Sequence, residues 1–459
     1  MNRERKERVE PIGGKLMLGI NASFSATLGA MPLLNTYPIP TLALIAVYVL
    51  AALLIWVFVG YPLLMLRFAL RHKPSDKDYS YQPFVSVIVP TYNEDGVIEK
   101  RIQNLRDLRY PNEKYEILVV DSGSSDDTRS IVRRISQEGG TPQIKLVCQN
   151  ERNGKASAIN CGKAHAAGDI ILVTDANSVF DERAVAELVP HFKDDQIGGV
   201  GGRYVVANPE SHLPRAEQFY WGLEDVLRTG ESALDSACLF EGSINAWRKA
   251  IVDADTAMIG EDLDMSIAIR KKGYKVAFEP NAISYEPAPT SFAEQRTQKK
   301  RRCLGTIQTI FKHWHHLFVP KDWYRLIIFP SHKGLLMFTP FMFVGILVGY
   351  IVIGNPDLVL SHIFIMSALF LILLFLYLHF VPRLHRAYSG APCRQVSLLR
   401  LASYVLFDEY LLLLAWRDFL SRRHSVLWEK IDSTRTSAKT GARAIDLTED
   451  QIYFHESAR

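Results

Sequence analysis

The stretch Gly168-Asp169-Ile170-Ile171-Leu172-Val173-Thr174-Asp175-Ala176-Asn177 decides how the chain folds. Its short apolar run, rich in branched residues, is typical of a strand buried on both faces of a parallel sheet. Because ligands of open α/β sheets lie beyond the carboxyl ends of the strands, Asp175 and Asn177 are candidates to hold a cation bound to phosphate. Asp and Asn are also common in ordinary turns, so this stretch alone leaves both interpretations open.

Strand and helix patterns alternate on both sides of this stretch, from about residue 84 to residue 289. This alternation predicts a mostly parallel sheet with helices on both faces. The glycine-rich segment 198–202 lacks the spacing of a dinucleotide site and is predicted to be a tight strand or turn. The predicted strands are 85–90, 115–120, 144–147 and 170–174, and the predicted helices are 96–108, 128–138 and 155–167.

The composition excludes some classes of function. The chain has 459 residues, of which 48% are hydrophobic, so it can bury the core of more than one domain. A net charge of +4 is too small to indicate nucleic-acid binding, and no basic stretch carries interleaved stacking aromatics. The scattered cysteines lack metal-type spacing and indicate reduced thiols in a cytosol-facing protein. They are Cys148, Cys161, Cys238, Cys303 and Cys393.

Apolar runs flank the polar middle of the chain. Residues 41–66 are uncharged and long enough to cross a bilayer of about 30 Å. The basic residues that follow place the next domain in the cytoplasm by the positive-inside rule. The runs 335–353 and 358–381 also have spanning length, and Arg383, His385 and Arg386 mark a return to the cytoplasm.

Two further segments remain open to more than one interpretation. The basic stretch 291–314, with apolar residues at intervals, is predicted to be a helix at the membrane surface or a solvated linker helix. The apolar run 398–416 contains Arg400, Asp408 and Glu409, so it either spans the membrane, lies at the membrane interface or re-enters the membrane from one side.

These patterns divide the chain into six predicted parts. They are a basic N-terminus with an interfacial or weak membrane helix (1–40), a transmembrane helix (41–72), a cytosolic domain (84–289), amphipathic interface helices (290–330), C-terminal membrane helices (331–425) and a polar tail (426–459). The whole is predicted to be a multi-pass cell-membrane protein with a cytoplasmic catalytic domain.

Polar residues end the other predicted strands at the same edge of the sheet. Each group is ordinary turn composition by itself. Together they supply an acceptor for a base N–H (Asp121), a cation for a diphosphate (Lys155), and oxygen donors for a metal (Asp175 and Asn177). A nucleoside diphosphate needs this set of groups.

Two downstream motifs add candidate residues. Glu261 and Asp262 begin a predicted helix, where acids are stabilised by the helix dipole, although a carboxylate there can also act as a general base. The cluster 298–302 is either a basic, lipid-facing group or part of a binding site.

The ordered motifs resemble the family 2 glycosyltransferases, the inverting, membrane-associated group that includes cellulose, chitin and hyaluronan synthases. The resemblance covers the whole middle domain and extends to the flanking membrane segments. The matching pieces are Val87-Ile88-Val89-Pro90-Thr91-Tyr92-Asn93-Glu94, Asp121-Ser122-Gly123-Ser124-Ser125-Asp126, Asn153-Gly154-Lys155, Thr174-Asp175-Ala176-Asn177, Gly260-Glu261-Asp262 and the segment from Gln298 to Arg301.

The resemblance implies a GT-A fold, which is a Rossmann-like α/β domain, and a nucleotide-sugar donor that is usually a uridine diphosphate sugar. It implies that Mg²⁺ or Mn²⁺ is held by Asp175 and Asn177, and that Asp262 is the catalytic base. The implied donor-binding residues are Pro90, Thr91, Tyr92, Glu94, Asp121, Lys155 and Asp175. The residues implied to face the acceptor and the diphosphate are Glu261, Gln298, Arg301 and Arg302.

Two residues depart from the family pattern. Asn177 is a neutral oxygen donor where the pattern has a second acid. Arg302 replaces an aromatic residue that stacks on the acceptor sugar in polymer synthases, and its guanidinium suits a phosphate instead. Three functions therefore remain open: transfer of one sugar to a lipid-linked or glycan acceptor, processive polysaccharide synthesis coupled to secretion, and an inactive nucleotide-sugar-binding membrane scaffold.

Overall fold

The computed structural model describes residues 39–72, 77–208, 212–357, 359–362, 398–422, 425–427 and 433–435, and the single positions 364, 367, 371 and 375. The predicted segment 1–34, most of the apolar run 358–381, the basic group at 383–386 and most of the polar tail lie outside the described residues.

Eight strands form one mixed, mostly parallel sheet in the order β3-β2-β1-β4-β7-β6-β8-β5. β1, β2, β3 and β4 run parallel, as do β6 and β8, whereas β7 is antiparallel to both of its neighbours and β5 is antiparallel to β8. The strands are β1 (Val85–Thr91), β2 (Tyr115–Asp121), β3 (Gln143–Cys148), β4 (Ile170–Val173), β5 (Val179–Phe180), β6 (Ile197–Val206), β7 (Asn245–Arg248) and β8 (Lys275–Glu286).

The stretch that decides the fold is β4, which lies between β1 and β7 with all four residues buried. Side chains of β1 alternate between two cores, because successive residues of a strand point to opposite faces. Val85 and Val87 pack with Ile102 on one face, and Ile88 packs with Ile159 on the other. Burial on both faces explains why the first strands are nearly continuous in apolar residues.

Helices cover the sheet and extend beyond it. The predicted helices of the middle domain are confirmed, with ends displaced by one or two residues. The helices are α1 (Ile39–Arg71), α2 (Ile98–Arg106), α3 (Thr128–Gln137), α4 (Gly154–His165), α5 (Ala184–Leu188), α6 (His212–Leu234), α7 (Glu261–Lys271), α8 (Phe292–Leu317), α9 (Tyr324–Ile353) and α10 (Leu398–Leu420), with 3-10 turns at Asn112–Lys114 and Val189–Lys193.

The glycine-rich segment 198–202 is part of β6, so of the two predicted alternatives it forms a strand and not a turn. A Cβ atom at Gly199 would collide with the ring of Phe240, and one at Gly202 would lie 2.5 Å from the carbonyl oxygen of Ala282. These glycines therefore allow close packing and do not form a phosphate loop.

The chain divides into two compact units. One contains residues 39–52 and the described residues from 343 to 364, where Gly345 lies against Leu50 and the hydroxyl of Tyr48 lies 2.7 Å from Nε2 of His362. The other contains the sheet, residues 53–342 and the remaining described residues. Within the described ranges, two helices, α1 and α9, are long and apolar enough to cross a membrane.

Asp408 and Glu409, in the apolar run 398–416, have protein partners. Lys299 of α8 places Nζ 2.8 Å from Oδ1 of Asp408, and Thr339 donates to Glu409 at 2.9 Å. Phe311 of α8 packs edge-on against Trp416 of α10. Ionisable groups in apolar segments are commonly paired in this way with other parts of the protein.

Candidate active site

The ends of β1 and β2 present a buried carboxylate. Thr91 and Asp121 are paired in the parallel register, and Thr91 Oγ1 donates to the carbonyl of Val120 at 3.1 Å. Oδ2 of Asp121 accepts from the backbone of Gly123 and Ser124 at 3.2 Å each. Oδ1 of Asp121 is buried and has no hydrogen-bond partner among the described residues. Such an acceptor is costly to leave unsatisfied, so it fits a ligand that brings an N–H group.

Two arginines contact the predicted donor residues next to this carboxylate. The guanidinium of Arg152 lies 4.0 Å from the ring centre of Tyr92. Arg435 binds the buried carboxylate of Glu94 through two nitrogens, at 2.7 Å to Oε1 and 3.1 Å to Oε2. The sequence pattern missed Arg435, because the C-terminal segment is polar and lies 341 residues from Glu94. Pro90 lies in β1, opposite Val120.

Lys155, in the first turn of α4, is a cation shared by two acids. Its Nζ lies 2.7 Å from Oδ1 of Asp175 and 3.3 Å from Oε1 of Glu261, and it donates to the carbonyl of Gly242 at 3.1 Å. Burial alone lowers the pKa of Lys155, but Asp175, Glu261 and Asp262 outweigh it and raise the pKa above the ordinary value. Lys155 therefore stays charged over the physiological range.

Asp262 stands beside this cation, in the first turn of α7. Burial raises the pKa of its carboxyl, and the charge of Glu261 raises it further. Oδ1 accepts from the backbone of Leu263 at 2.8 Å. A Cβ atom at Gly242 would lie 3.5 Å from Oδ2 of Asp262 and 3.9 Å from Nζ of Lys155, so a methyl group there would be in van der Waals contact with both groups.

Asn177 is held by a carboxylate that the sequence pattern did not single out. Its Nδ2 donates to Oε1 of Glu286 at 3.0 Å. The contact follows from the pairing of β5 with β8, in which Val179 lies opposite Tyr285. Nothing in the local sequence around Glu286 signals this, since the pairing joins segments 109 residues apart.

The donor set at the end of β4 fits a hard divalent cation. Asp175, Asn177 and Glu286 offer two carboxylates and one amide oxygen, which are the ligand types that Mg²⁺ and Mn²⁺ prefer. No group of three or more His, Cys, Asp and Glu side chains with metal-binding geometry occurs in the described part of the chain. The protein therefore supplies fewer ligands than a divalent cation needs. The site suits a cation that is also coordinated by the oxygens of a diphosphate.

Arg301, on α8, belongs to the same cluster. Its Nε is buried without a hydrogen-bond partner among the described residues. Burial lowers its pKa, while Glu261, Asp262 and Asp175 act in the opposite direction. It lines one cleft together with Lys155 and Glu261.

The other two predicted residues of α8 do not lie open to a ligand in the same way. Arg302 NH1 lies 3.3 Å from Oε1 of Glu217, and its guanidinium lies 5.3 Å from the ring centre of Trp221. Gln298 is half-buried, and its side chain forms no hydrogen bond within the described ranges. Arg302 thus already has an anionic partner from α6.

A second unpredicted carboxylate, Glu241, is buried next to the site. Burial raises its pKa to about 7, against the opposing charge of Arg228, and the charge of Asp262 raises it further. Arg228 NH1 lies 3.4 Å from Oε2 of Glu241. The acid precedes Gly242, so it lies in the loop that faces Lys155.

Comparison with known proteins identifies the family. Residues 86–257 match the family model described as glycosyl transferase family 2. The protein is a family 2 glycosyltransferase. The predicted resemblance and enzyme class are thereby confirmed.

Two curated relatives and one solved structure agree with this assignment. The glycosyltransferase is 28% identical over 349 residues to the probable glycosyltransferase YdaM of Bacillus subtilis (strain 168), covering 71% of this chain and 81% of that protein. It is 28% identical over 253 residues to the poly-beta-1,6-N-acetyl-D-glucosamine synthase of Staphylococcus aureus (strain MSSA476), covering 54% of this chain and 60% of the synthase.

The solved structure is the mannosyltransferase PcManGT from Pyrobaculum calidifontis in complex with GDP-Man and Mn²⁺. The TM-score is 0.59 at 25% sequence identity, over 83% of this chain and 100% of that chain. This match confirms the predicted GT-A fold.

Proposed function

We propose that the glycosyltransferase moves a sugar from a nucleoside diphosphate sugar to an acceptor hydroxyl at the membrane, with inversion at the anomeric carbon. The observation that carries the proposal is the meeting of three groups around Gly242. Asp175 contacts Lys155 at 2.7 Å, and Lys155 and Asp262 both lie beside the position that a Cβ atom of Gly242 would occupy. A donor-side acid, a diphosphate cation and a candidate base thus share one site.

The donor end of the site has groups for the base and for the diphosphate of a nucleotide sugar. Oδ1 of Asp121, which has no hydrogen-bond partner among the described residues, suits a base N–H, and we propose uracil as the base. Lys155 and Arg301, whose Nε has no hydrogen-bond partner in the described part of the chain, suit the diphosphate, because both are cations in a mostly buried site where charge–charge interactions are strong.

A divalent cation, Mg²⁺ or Mn²⁺, would be held by Asp175 and Asn177. The support is the oxygen donor set described above and the Mn²⁺ in the complex of PcManGT. When bound, such a cation neutralises charge that develops on a leaving diphosphate. Lys155 and Arg301 would add electrostatic stabilisation of that same charge.

Asp262 is proposed as the base that takes the proton from the acceptor hydroxyl. Burial and the charge of Glu261 raise its pKa, which makes it a better proton acceptor than an ordinary aspartate. The hydroxyl oxygen then bonds to the anomeric carbon as the bond to the diphosphate oxygen breaks on the opposite face. Such base catalysis typically contributes about 100- to 10,000-fold.

The pairing of Arg302 is relevant to the class of acceptor. A guanidinium that is already paired with Glu217 has less to offer a lipid phosphate, which favours a glycan hydroxyl over a lipid-linked phosphate acceptor. Processive polysaccharide synthesis is the second candidate, and the similarity to the poly-beta-1,6-N-acetyl-D-glucosamine synthase supports it.

The membrane setting is also part of the proposal. α1 and α9 have the length and composition of membrane spans, and we propose that the sheet domain is cytoplasmic, which the basic residues Arg67, Arg71 and His72 support through the positive-inside rule.

The experiment is a donor screen on the full chain in membranes. Radiolabelled UDP- and GDP-sugars are supplied with Mn²⁺ or with a chelator, and products are sized by mass. We expect one donor to be used, product to depend on the metal, and product mass to distinguish one added sugar from a polymer. Absence of transfer or hydrolysis of every donor, by folded protein, would contradict the proposal.

A further inference from the structure

The second acid of the family's acid-x-acid pair is missing from the β4 turn, where Asn177 stands. The structure brings a carboxylate to that residue from another strand. Glu286 is the last residue of β8, and it accepts from Asn177 Nδ2 at 3.0 Å. Only the amide nitrogen can donate to a carboxylate, so Asn177 is left with Oδ1 as its possible metal ligand.

The position of Glu286 is fixed by the backbone around it. β5 pairs with β8 so that Val179 lies opposite Tyr285, which places Asn177 and Glu286 at the same end of the two strands. The carbonyl of Glu286 accepts from the backbone of Ala207 at 3.0 Å. The carboxylate is therefore carried by regular sheet and not by a loop.

Glu286 also lacks a cation of its own. Among the described residues it forms no salt bridge, although Arg302 and Arg435 are near enough to act on it electrostatically. Both arginines are bound to other acids, Arg302 to Glu217 and Arg435 to Glu94. A carboxylate removed from water without a cationic partner is unfavourable, so this position suits a bound cation.

We infer that Glu286 supplies the second negative charge of the divalent-cation site, so that the acid pair is divided between the β4 turn and the end of β8. Asp175 and Glu286 carry the two charges, and Asn177 bridges them as a neutral donor. This inference rests on the proposed function, because it concerns the cation that accompanies the donor diphosphate.

The test measures Mn²⁺ binding to the purified full chain in detergent, by electron paramagnetic resonance titration with UDP present. Glu286→Gln should weaken Mn²⁺ binding at least about tenfold, because it removes one of two carboxylates but keeps a hydrogen-bonding group. Asn177→Asp in the Glu286→Gln background should restore most of the affinity, since it returns the charge to the β4 turn.

The matched control is Glu279→Gln. Glu279 is a buried glutamate on the same strand that pairs with Lys77 at 2.8 Å, and its loss should leave Mn²⁺ affinity within about twofold of the wild type. Wild-type affinity in Glu286→Gln, or failure of Asn177→Asp to rescue it, would overturn the inference. Sugar transfer by the wild type is assayed in parallel, so that failure of this inference is distinguished from failure of the proposed function.

Discussion

The Nζ of Lys155 lies 2.7 Å from Oδ1 of Asp175 and so ties the start of α4 to the end of β4. The same nitrogen lies 3.3 Å from Oε1 of Glu261, at the start of α7. One cation therefore joins the donor side of the site to the side that carries Asp262. The two halves of the proposed reaction are coupled through a single residue.

Loss of that cation should weaken donor binding. Lys155→Ala leaves Asp175, Glu261 and Asp262 close together with less positive charge among them, and an approaching diphosphate meets net repulsion. We expect UDP affinity to fall at least about tenfold by isothermal titration calorimetry. Lys163→Ala, on the same helix but paired with the exposed Asp253, is the control and should bind UDP normally. Equal affinity of wild type and Lys155→Ala would contradict this role.

Transfer should require that residue 242 has no bulky side chain. A single methyl at this position would meet Asp262 Oδ2 at 3.5 Å, an ordinary contact, so Gly242→Ala should keep most of the activity. Gly242→Val adds branches that must displace Asp262 or Lys155, and we expect transfer to fall about 100-fold with little change in melting temperature. Initial rates and thermal melts of both variants check this, and normal transfer by the valine variant would show that a bulky side chain is tolerated there.

Arg435 should support the donor pocket from the C-terminal segment. Because Glu94 is buried, Arg435→Ala leaves its charge uncompensated, which typically costs about 3–5 kcal/mol for a buried pair. We expect a lower melting temperature and a higher KM for the donor, with a smaller change in kcat. Arg417→Ala, which removes an exposed arginine paired with Asp418, serves as the comparison and should change neither. An unchanged donor KM in Arg435→Ala would show that the pairing of Arg435 with Glu94 does not contribute to donor binding.

Glu241 should make the folded state less stable as the pH rises. Its pKa is raised from 4.5 to about 7 by burial, so the unfolded chain releases this proton at lower pH than the folded chain does. The free energy of unfolding therefore falls between about pH 4.5 and pH 7, by up to about 3 kcal/mol from this group.

Glu241→Gln removes that dependence. Between about pH 5 and pH 8, the melting temperature of the glutamine variant should fall less than that of the wild type, measured by scanning fluorimetry in one detergent. Parallel curves for the two proteins would show that Glu241 does not carry the predicted proton.

Local pattern was enough to predict the first half of the sheet. β1 to β4 and the helices between them are encoded by apolar runs and turn residues, and each run pairs with a neighbour in the order that a parallel α/β sheet requires. The residues at their carboxyl ends, such as Asp121 and Asp175, follow from the same rule.

Residues placed by distant pairing could not be predicted in this way. Glu286 reaches Asn177 through the pairing of β5 with β8, and Arg435 reaches Glu94 across 341 positions. The neutralisation of Arg302 by Glu217 likewise depends on how α6 packs beside α8. Periodicity reports burial along one element, and it carries no information on which distant side chain becomes the partner.

The most direct test of the account is the Asp262→Asn variant of the full chain. We predict that UDP binding stays within about threefold of the wild type while transfer falls at least about 100-fold, since the amide cannot accept the hydroxyl proton. Asp264→Asn, two residues along α7 and facing His313 at 2.7 Å instead of Lys155, controls for disturbance of the helix. Transfer by Asp262→Asn at near the wild-type rate would contradict the assignment of Asp262 as the base.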